Sequence, residues 1–273
     1  MKIGKATVPE SAICTSDDET IVVRGADLCR DLIGKVSFSD YFWLLVTGQR
    51  PDAKASRVLE ATLVAITEHG LVPSVQASRM TLAAAPDALQ GAVAAGILGC
   101  GSVILGASED AGRLFLRIDA RAKEQGVTLD AAAADIVREL RAAKRAIPGY
   151  GHPQHKERDP RVARLFEVGR EAGTAGHFVA IAEAVERVLP DLTGRDLRLN
   201  VSAAIPAVLL DVGFPADALR GVPILARTAG LIAHLTEEMQ RPIGFALSYQ
   251  ATREQVYTGE LPKGVTMKKA GRG

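Results

Sequence analysis

Cysteine is scarce: Cys14, Cys29 and Cys100 are the only three, widely spaced and with no Cys-x-x-Cys pair. This excludes a disulfide scaffold and a thiolate zinc site, and it leads us to expect a reducing, cytoplasmic setting. Aromatic residues make up only 4% of the chain, while alanine is abundant. That balance favours closely packed helices over a β-sandwich. Net charge is nearly absent, at +1, so nothing in the overall balance calls for nucleic acid or an anionic membrane. The opening MKIGKATVPES has no apolar signal-peptide core, and no membrane span is expected.

What is present is ordinary for a globular enzyme. The 273 residues, 47% hydrophobic and 24% charged, suffice for one large domain or for a large and a small one. The first 25 residues read as an extended or hairpinned arm, with Thr20 to Gly25 the best short strand. From Ala26 the period turns helical. Phe38 to Thr47 is ended by Gly48, and a second helix from Ala53 to Glu68 stops at His69-Gly70. Residues 87–106 carry a single charge, Asp87, and five glycines. We read them as a core helix or helix pair buried on all sides, in which glycine permits close approach at about 1 kcal/mol each relative to alanine.

Thr128 caps a periodic helix with Leu129, Ala133, Ile136, Val137 and Leu140 inward. Helices are expected near 160–172, at 176–189, from Val201 through Leu210, and from Gly221 or Pro223 to about Gln240. The last of these would bury Ile224, Leu225, Leu231, Ile232 and Leu235, with Glu237 and Glu238 on a solvated face. The tail 241–273 reads as irregular. The fold class is all-α.

The densest chemistry lies in Pro148-Gly149-Tyr150-Gly151-His152-Pro153, followed by Asp159-Pro160-Arg161. Glycine and proline hold the His152 imidazole on a constrained loop, and Asp159-Pro160 starts a helix that carries a fixed cation at Arg161. Such a pairing suits proton transfer on a carboxylate-bearing substrate. A zinc reading of His152, His155 and Glu157 fails because Pro153 spoils the i, i+4 helical display. No metal is expected. Arg227, in an apolar helix, calls for an anionic partner from ligand or protein. His69 alone would read as a helix C-terminal residue facing the dipole, and His234 as a hydrogen-bonded core histidine.

Together these segments resemble the citrate synthase family and the related citryl-CoA lyases. The run at 149–161 resembles the family's Gly-[Phe/Tyr]-Gly-His…Asp-Pro-Arg signature. Thr67 to Gly70 is similar to its histidine turn, and Leu199-Asn200-Val201-Ser202 to its Asn-Val-Asp turn. Ile224 to His234 is similar to its Ala-Arg-Thr-x-Gly-x-Ile-Ala-His helix, and Val256-Tyr257-Thr258-Gly259 to its closing Tyr-Thr-Gly. The short length resembles the compact lyases and the lyase module of ATP-citrate lyase.

The resemblance implies an all-helical homodimer. Its large domain would comprise 1–107 and 206–273, with a smaller mobile domain of 108–205 inserted. A small carboxylate substrate would sit between the two domains, with coenzyme A, as thioester substrate or product, along the small one. His152 would be catalytic, and Ser202 would stand at the catalytic aspartate's place. His69, Arg161 and Arg227 would bind substrate, joined by a partner-subunit arginine, Arg241 or else Arg253. Two positions depart from the pattern. Ile104 stands where citrate synthases carry a histidine, a feature shared with the ATP-citrate lyase module. Ser202 replaces the aspartate, and an unassisted hydroxyl cannot deprotonate a thioester methyl group. Asp211 lies about 13 Å further along the helix at 1.5 Å per residue, a poor substitute, while Glu109 and Asp110 follow the glycine turn. The expected activity is citryl-CoA cleavage to acetyl-CoA and oxaloacetate; the alternatives are a citrate synthase-like condensation or a silent CoA or carboxylate binder.

Overall fold

The computed structural model describes residues 10–151 and 159–266, and it is mostly helical. Three short antiparallel strands come first: β1 (Cys14–Ser16), β2 (Ile21–Val23) and β3 (Ala26–Asp27), paired in that order. Arg24 and Gly25 turn β2 into β3, both at positive φ (50° and 80°), the backbone a tight two-residue hairpin requires. The Arg24 guanidinium is tied down by the Leu45 carbonyl, which accepts from Nε at 3.1 Å and Nη2 at 2.6 Å.

Eleven α-helices follow among the described residues: α1 (Phe38–Thr47), α2 (Ala53–Thr67), α3 (Pro73–Ala84), α4 (Leu89–Leu98), α5 (Gly106–Gln125), α6 (Leu129–Ala142), α7 (Pro160–Glu171), α8 (His177–Thr193), α9 (Val201–Asp211), α10 (Gly221–Gln240) and α11 (Gly244–Glu254). Local capping explains many of their ends. Ser37 Oγ accepts from Asp40 N–H at the start of α1, and Gly48 closes that helix in the left-handed region. Thr128, Asp159 and Asn200 cap α6, α7 and α9 in the same way. The helix expected from about Gly221 to Gln240 is α10, and the all-α expectation holds apart from the small sheet.

The chain divides into two compact units, each described by itself. The first comprises Met1–Ala65 and Leu105–Pro223, and the inserted region expected at 108–205 falls wholly within it. Here α5 packs on α6 and α9, α8 on α6 and α9, and α7 on α9. Phe115, Ile118, Ile136, Ile181, Leu189, Ile205 and Leu209 are completely buried, each side chain contributing about 1.5–3 kcal/mol of transfer free energy.

The second unit comprises Ile66–Ile104 and Ile224–Gly273, with α3 packed between α4 and α11. Four expectations are corrected there. Residues 87–106 are not buried on all sides: α4 buries Ala92 and Gly96, while Leu98 is 83% exposed. The expected close approach does occur, since a Cβ on Gly96 would lie 2.7 Å from Leu231. Ile232 is exposed rather than buried, because the described residues of this unit leave the α10 face that carries it uncovered. The tail is not irregular throughout. Helix α11 forms because the Glu238 carboxylate accepts from the N–H groups of Ile243 (3.0 Å) and Gly244 (2.7 Å), capping it from α10.

Glu238 itself is buried rather than solvated, because Arg79 of α3 donates to it from Nε at 2.6 Å. The same guanidinium reaches Glu237 at 2.8 Å and the Arg241 carbonyl at 3.1 Å, so the pair is buried with its hydrogen bonds made. No helix among the described residues is long and apolar enough to cross a membrane.

Candidate functional site

The predicted residues fall into two clusters, one in each unit. In the first unit, the loop before His152 is built from two glycines at positive φ flanking a buried tyrosine. Gly149 has φ 86°, and a Cβ there would lie 2.5 Å from that of Ala203, so only glycine fits. Tyr150 is anchored by its hydroxyl, which donates to the Ala182 carbonyl at 2.7 Å, and burial pushes its phenol well above the usual range. Tyr150 also bridges to Leu199 as an isolated antiparallel pair. Asn200 N–H donates to the Gly149 carbonyl at 2.9 Å, and Asn200 Nδ2 donates to the Gly151 carbonyl at 2.6 Å.

The structure therefore joins the Gly-Tyr-Gly loop to the Asn-Val-Ser turn, 50 residues away in sequence. His152 lies outside the described residues, as do His155 and Glu157. The chain enters that segment from a loop pinned at both ends of Gly149-Tyr150-Gly151.

Ser202 is half-buried in the first turn of α9, and its N–H donates to Asn200 Oδ1 at 2.9 Å. The Asp159 carboxylate is completely buried. It accepts from Arg161 N–H (3.1 Å), Nε (2.9 Å) and Nη2 (2.8 Å), and from Val201 N–H (3.2 Å). Burial pushes its carboxyl up, but the Arg161 guanidinium and the two N–H donors more than offset this and leave it below the usual carboxylate range. Arg161 is thus already neutralised by a two-pronged ion pair inside the protein.

Arg161 also lines an open cavity of about 1010 Å³ between α1, α2 and α7, together with Arg57, Glu60, Val64 and Arg164. Asp211 receives the N–H groups of Phe178 (2.7 Å) and Val179 (3.3 Å). It caps α8 and is not free to replace a base at Ser202. Glu109 faces Arg113 at 2.7 Å.

The second unit holds the other cluster. At the end of α2, Glu68 Oε1 accepts from the N–H groups of His69 (2.9 Å) and Gly70 (2.5 Å), closing the turn that carries His69. The other oxygen, Oε2, stands 2.9 Å from His234 Nε2 on α10. That is ion-pair distance, although the ring is out of line for a hydrogen bond and its Nδ1 is buried without one. Burial raises the Glu68 carboxyl, but His234 and the two N–H groups reverse this and hold it below the usual range. Four residues before His234, a Cβ on Gly230 would lie 2.2 Å from the Thr67 carbonyl. The backbone of the turn thus rests directly on α10.

Arg227 is 5% exposed, and its Nε and Nη1 are buried with no hydrogen bond among the described residues. Leaving a buried charge without its partner costs about 3–5 kcal/mol. Arg241 is exposed at the end of α10, its carbonyl held by Arg79. Arg253 lies over the Tyr249 ring at 5.8 Å. Ile104 is half exposed in a π-helical turn, Gly101–Leu105. Sequence reasoning missed Glu68 as the closer of the His69 turn. The signal available was glycine in mid-helix at 230, a residue that costs about 1 kcal/mol there unless something must come close. Among the described residues no group of three His, Cys, Asp or Glu side chains could hold a metal ion.

The family model described as citrate synthase, C-terminal domain, matches residues 34–244. Citryl-CoA lyase from Hydrogenobacter thermophilus is similar in structure, with a TM-score of 0.82 and 32% identity, covering 95% of this chain and 98% of that one. ATP citrate lyase from Methanosaeta concilii, solved with (3S)-citryl-CoA, matches with a TM-score of 0.72 and 25% identity, covering 87% of this chain and 40% of that one. Among curated proteins, a citrate synthase-like protein of Aspergillus oryzae is 29% identical over 233 residues, 81% of this chain and 49% of its own length. The chain spans about half the length of the curated relatives it matches.

Proposed function

The chain belongs to the citrate synthase family, and we propose that within it this protein is a lyase, cleaving citryl-CoA or a closely related 3-hydroxy-3-carboxyacyl-CoA to acetyl-CoA and oxaloacetate. The observation that carries the reading is Arg227, whose Nε and Nη1 are buried without a hydrogen-bond partner among the described residues, on the helix that bears the family's arginine motif. A substrate carboxylate supplies the missing charge. Likeness to a citryl-CoA lyase along nearly the whole of both chains supports the lyase direction, as do Ile104 and Ser202 at the places of two proton-handling residues.

In this reading His152 takes the proton from the tertiary hydroxyl, the oxygen becomes the oxaloacetate ketone, and the carbon–carbon bond breaks. Its electron pair leaves on the acetyl-CoA enolate, which water protonates; Ser202 does no more than position. Arg161, Arg227 and Arg241 grip carboxylates as charge-assisted forks, and His69 binds the oxaloacetate part. Closure of a small domain, 108–205, and a homodimer in which Arg241, or else Arg253, reaches the partner's site belong to the same proposal. Exposed Ala229, Ile232, Ala233 and Met239 on α10, with Leu98 on α4, give the second unit an apolar surface that suits a second copy.

The test is incubation with citryl-CoA, and separately with acetyl-CoA plus oxaloacetate, following thioester absorbance and free CoA. Cleavage without appreciable condensation is expected. His152→Ala should lower cleavage by about 10²–10⁴-fold, the usual contribution of a general acid–base group, with CoA affinity little changed. Absence of both reactions, with CoA or a carboxylate still bound in calorimetry, would establish a binder in place of an enzyme.

A further inference from the structure

Resting on the functional reading above, we propose that Glu68 and His234 form a positioning pair that clamps the Thr67–Gly70 turn onto α10 and so sets where His69 stands relative to Arg227. Neither residue is assigned to the substrate. The turn depends on one carboxylate used twice. Oε1 gathers the N–H groups of His69 and Gly70, which fixes the backbone of the turn, and Oε2 faces the His234 ring at 2.9 Å, which fixes the turn to the helix. Gly230 removes the side chain that would hold the two elements apart.

His234 lies seven residues, two helical turns, after Arg227, so one rigid helix carries both the prepared cation and the clamp. Glu68 is half exposed while His234 is 14% exposed. The pair therefore sits at the edge of the core, where a contact orients a turn without being required for folding. An arginine and a histidine that share a substrate must be held to within a fraction of an ångström, since a misplacement of about 1 Å can cost about a hundredfold.

The test uses the intact protein and two substitutions at one position. His234→Leu removes the ring's polar contact, and His234→Gln restores a polar group of similar reach. His69 is assigned to ground-state binding of the oxaloacetate part. His234→Leu should therefore raise KM for citryl-CoA and the calorimetric Kd for oxaloacetate by about tenfold or more, with kcat within about twofold. His234→Gln should recover most of that loss. Hydrogen exchange at the His69 and Gly70 amides should quicken by about tenfold or more in the leucine variant and stay slow in the glutamine variant.

Exchange that is unchanged in His234→Leu would overturn the clamp. So would a fall in kcat at constant KM, which is the signature of a smaller folded fraction. A wild-type protein that neither cleaves citryl-CoA nor binds oxaloacetate would bring down the functional reading instead. The exchange measurement would then decide the turn by itself.

Discussion

Arg161, at the second position of α7, meets Asp159 across both Nε and Nη2, and that carboxylate is completely buried against it. Arg227, nearly two turns into α10, buries Nε and Nη1 with no hydrogen-bonding acid among the described residues. Both were expected to grip substrate carboxylates, yet one is neutralised before any ligand arrives and the other is not. The difference separates orientation from appetite for charge. An ion-paired arginine is held in one place and adds a pre-aimed donor edge, whereas an unpaired buried arginine destabilises the empty protein and gains most when an anion enters.

Arg227→Leu should break the comparison most visibly. Oxaloacetate or citrate affinity should fall by about a hundredfold or more, as expected for truncating one side of a buried charge pair. The ligand-free variant should nonetheless melt at the same or a higher temperature than wild type, because a buried charge has been exchanged for a buried apolar group. With ligand at a hundred times its Kd, wild type should gain about 2.7 kcal/mol of stability and the variant almost none. Melting curves with and without ligand check both halves. A variant less stable than wild type without ligand would mean that Arg227 already has a partner.

The comparison was only half legible in sequence. That Arg227 lies in an apolar helix followed from its neighbours in sequence, but that Arg161 already has an anion depended on how Asp159 folds back over it. The same division runs through the fold. Helices α1, α6, α7 and α9 were readable because their ends are set by neighbours in the chain, such as Ser37, Gly48, Thr128, Asp159-Pro160 and Asn200. Helix α11 was not, because its cap is Glu238 from α10, and Glu238 was mistaken for a surface residue because its partner is Arg79 of α3. Hydrophobic periodicity placed Ile232 inside, since a periodic pattern reports apolar character and not whether a neighbour covers it. The motifs carried the site by resemblance. The joining of Gly149–Gly151 to Asn200, and of Thr67–His69 to α10, are long-range contacts that no spacing reveals.

Asp159→Asn should have a smaller and pH-dependent effect. Removing the charge leaves Arg161 with a neutral neighbour and weakens the contact to Val201 N–H. The loss at neutral pH should be about 3 kcal/mol, the lower end for a broken buried pair, because Arg161 keeps 18% of its side chain exposed. The Asp159 carboxyl is held below its ordinary value in the folded protein. Its contribution is therefore complete above the unfolded pKa, about 4, and disappears as pH falls through the lower folded value. Urea melts should show the gap between wild type and variant closing below about pH 4. Carboxylate affinity should fall by about tenfold, since Arg161 loses the carboxylate that aims it. If affinity were to rise instead, Asp159 would be a competitor for Arg161 and not its guide.

Ser202→Asp should have the smallest effect and tests the first cluster from the opposite direction, by adding a charge. The first turn of α9 accepts a carboxylate readily: position 202 is half-buried, it follows the Asn200 cap, and acidic side chains near a helix N-terminus gain about 0.3–1 kcal/mol. The buried Asp159 at Val201 N–H opposes part of that gain, so the melting temperature should hardly move. The new carboxylate would supply the base that condensation lacks, and citrate formation from acetyl-CoA and oxaloacetate should rise by about a fewfold to tenfold over the wild-type rate. It should not reach ordinary synthase rates. On the proposed reading Ile104 would offer the enol oxygen no donor, and losing one such donor costs roughly 3 kcal/mol. Cleavage should change less than condensation, because an enolate already released needs only water to protonate it. Condensation that stays flat in a stable, substrate-binding variant would mean that the Asn200-Val201-Ser202 turn does not face the acetyl group. The serine would then mark a site that has lost its synthase geometry along with its base.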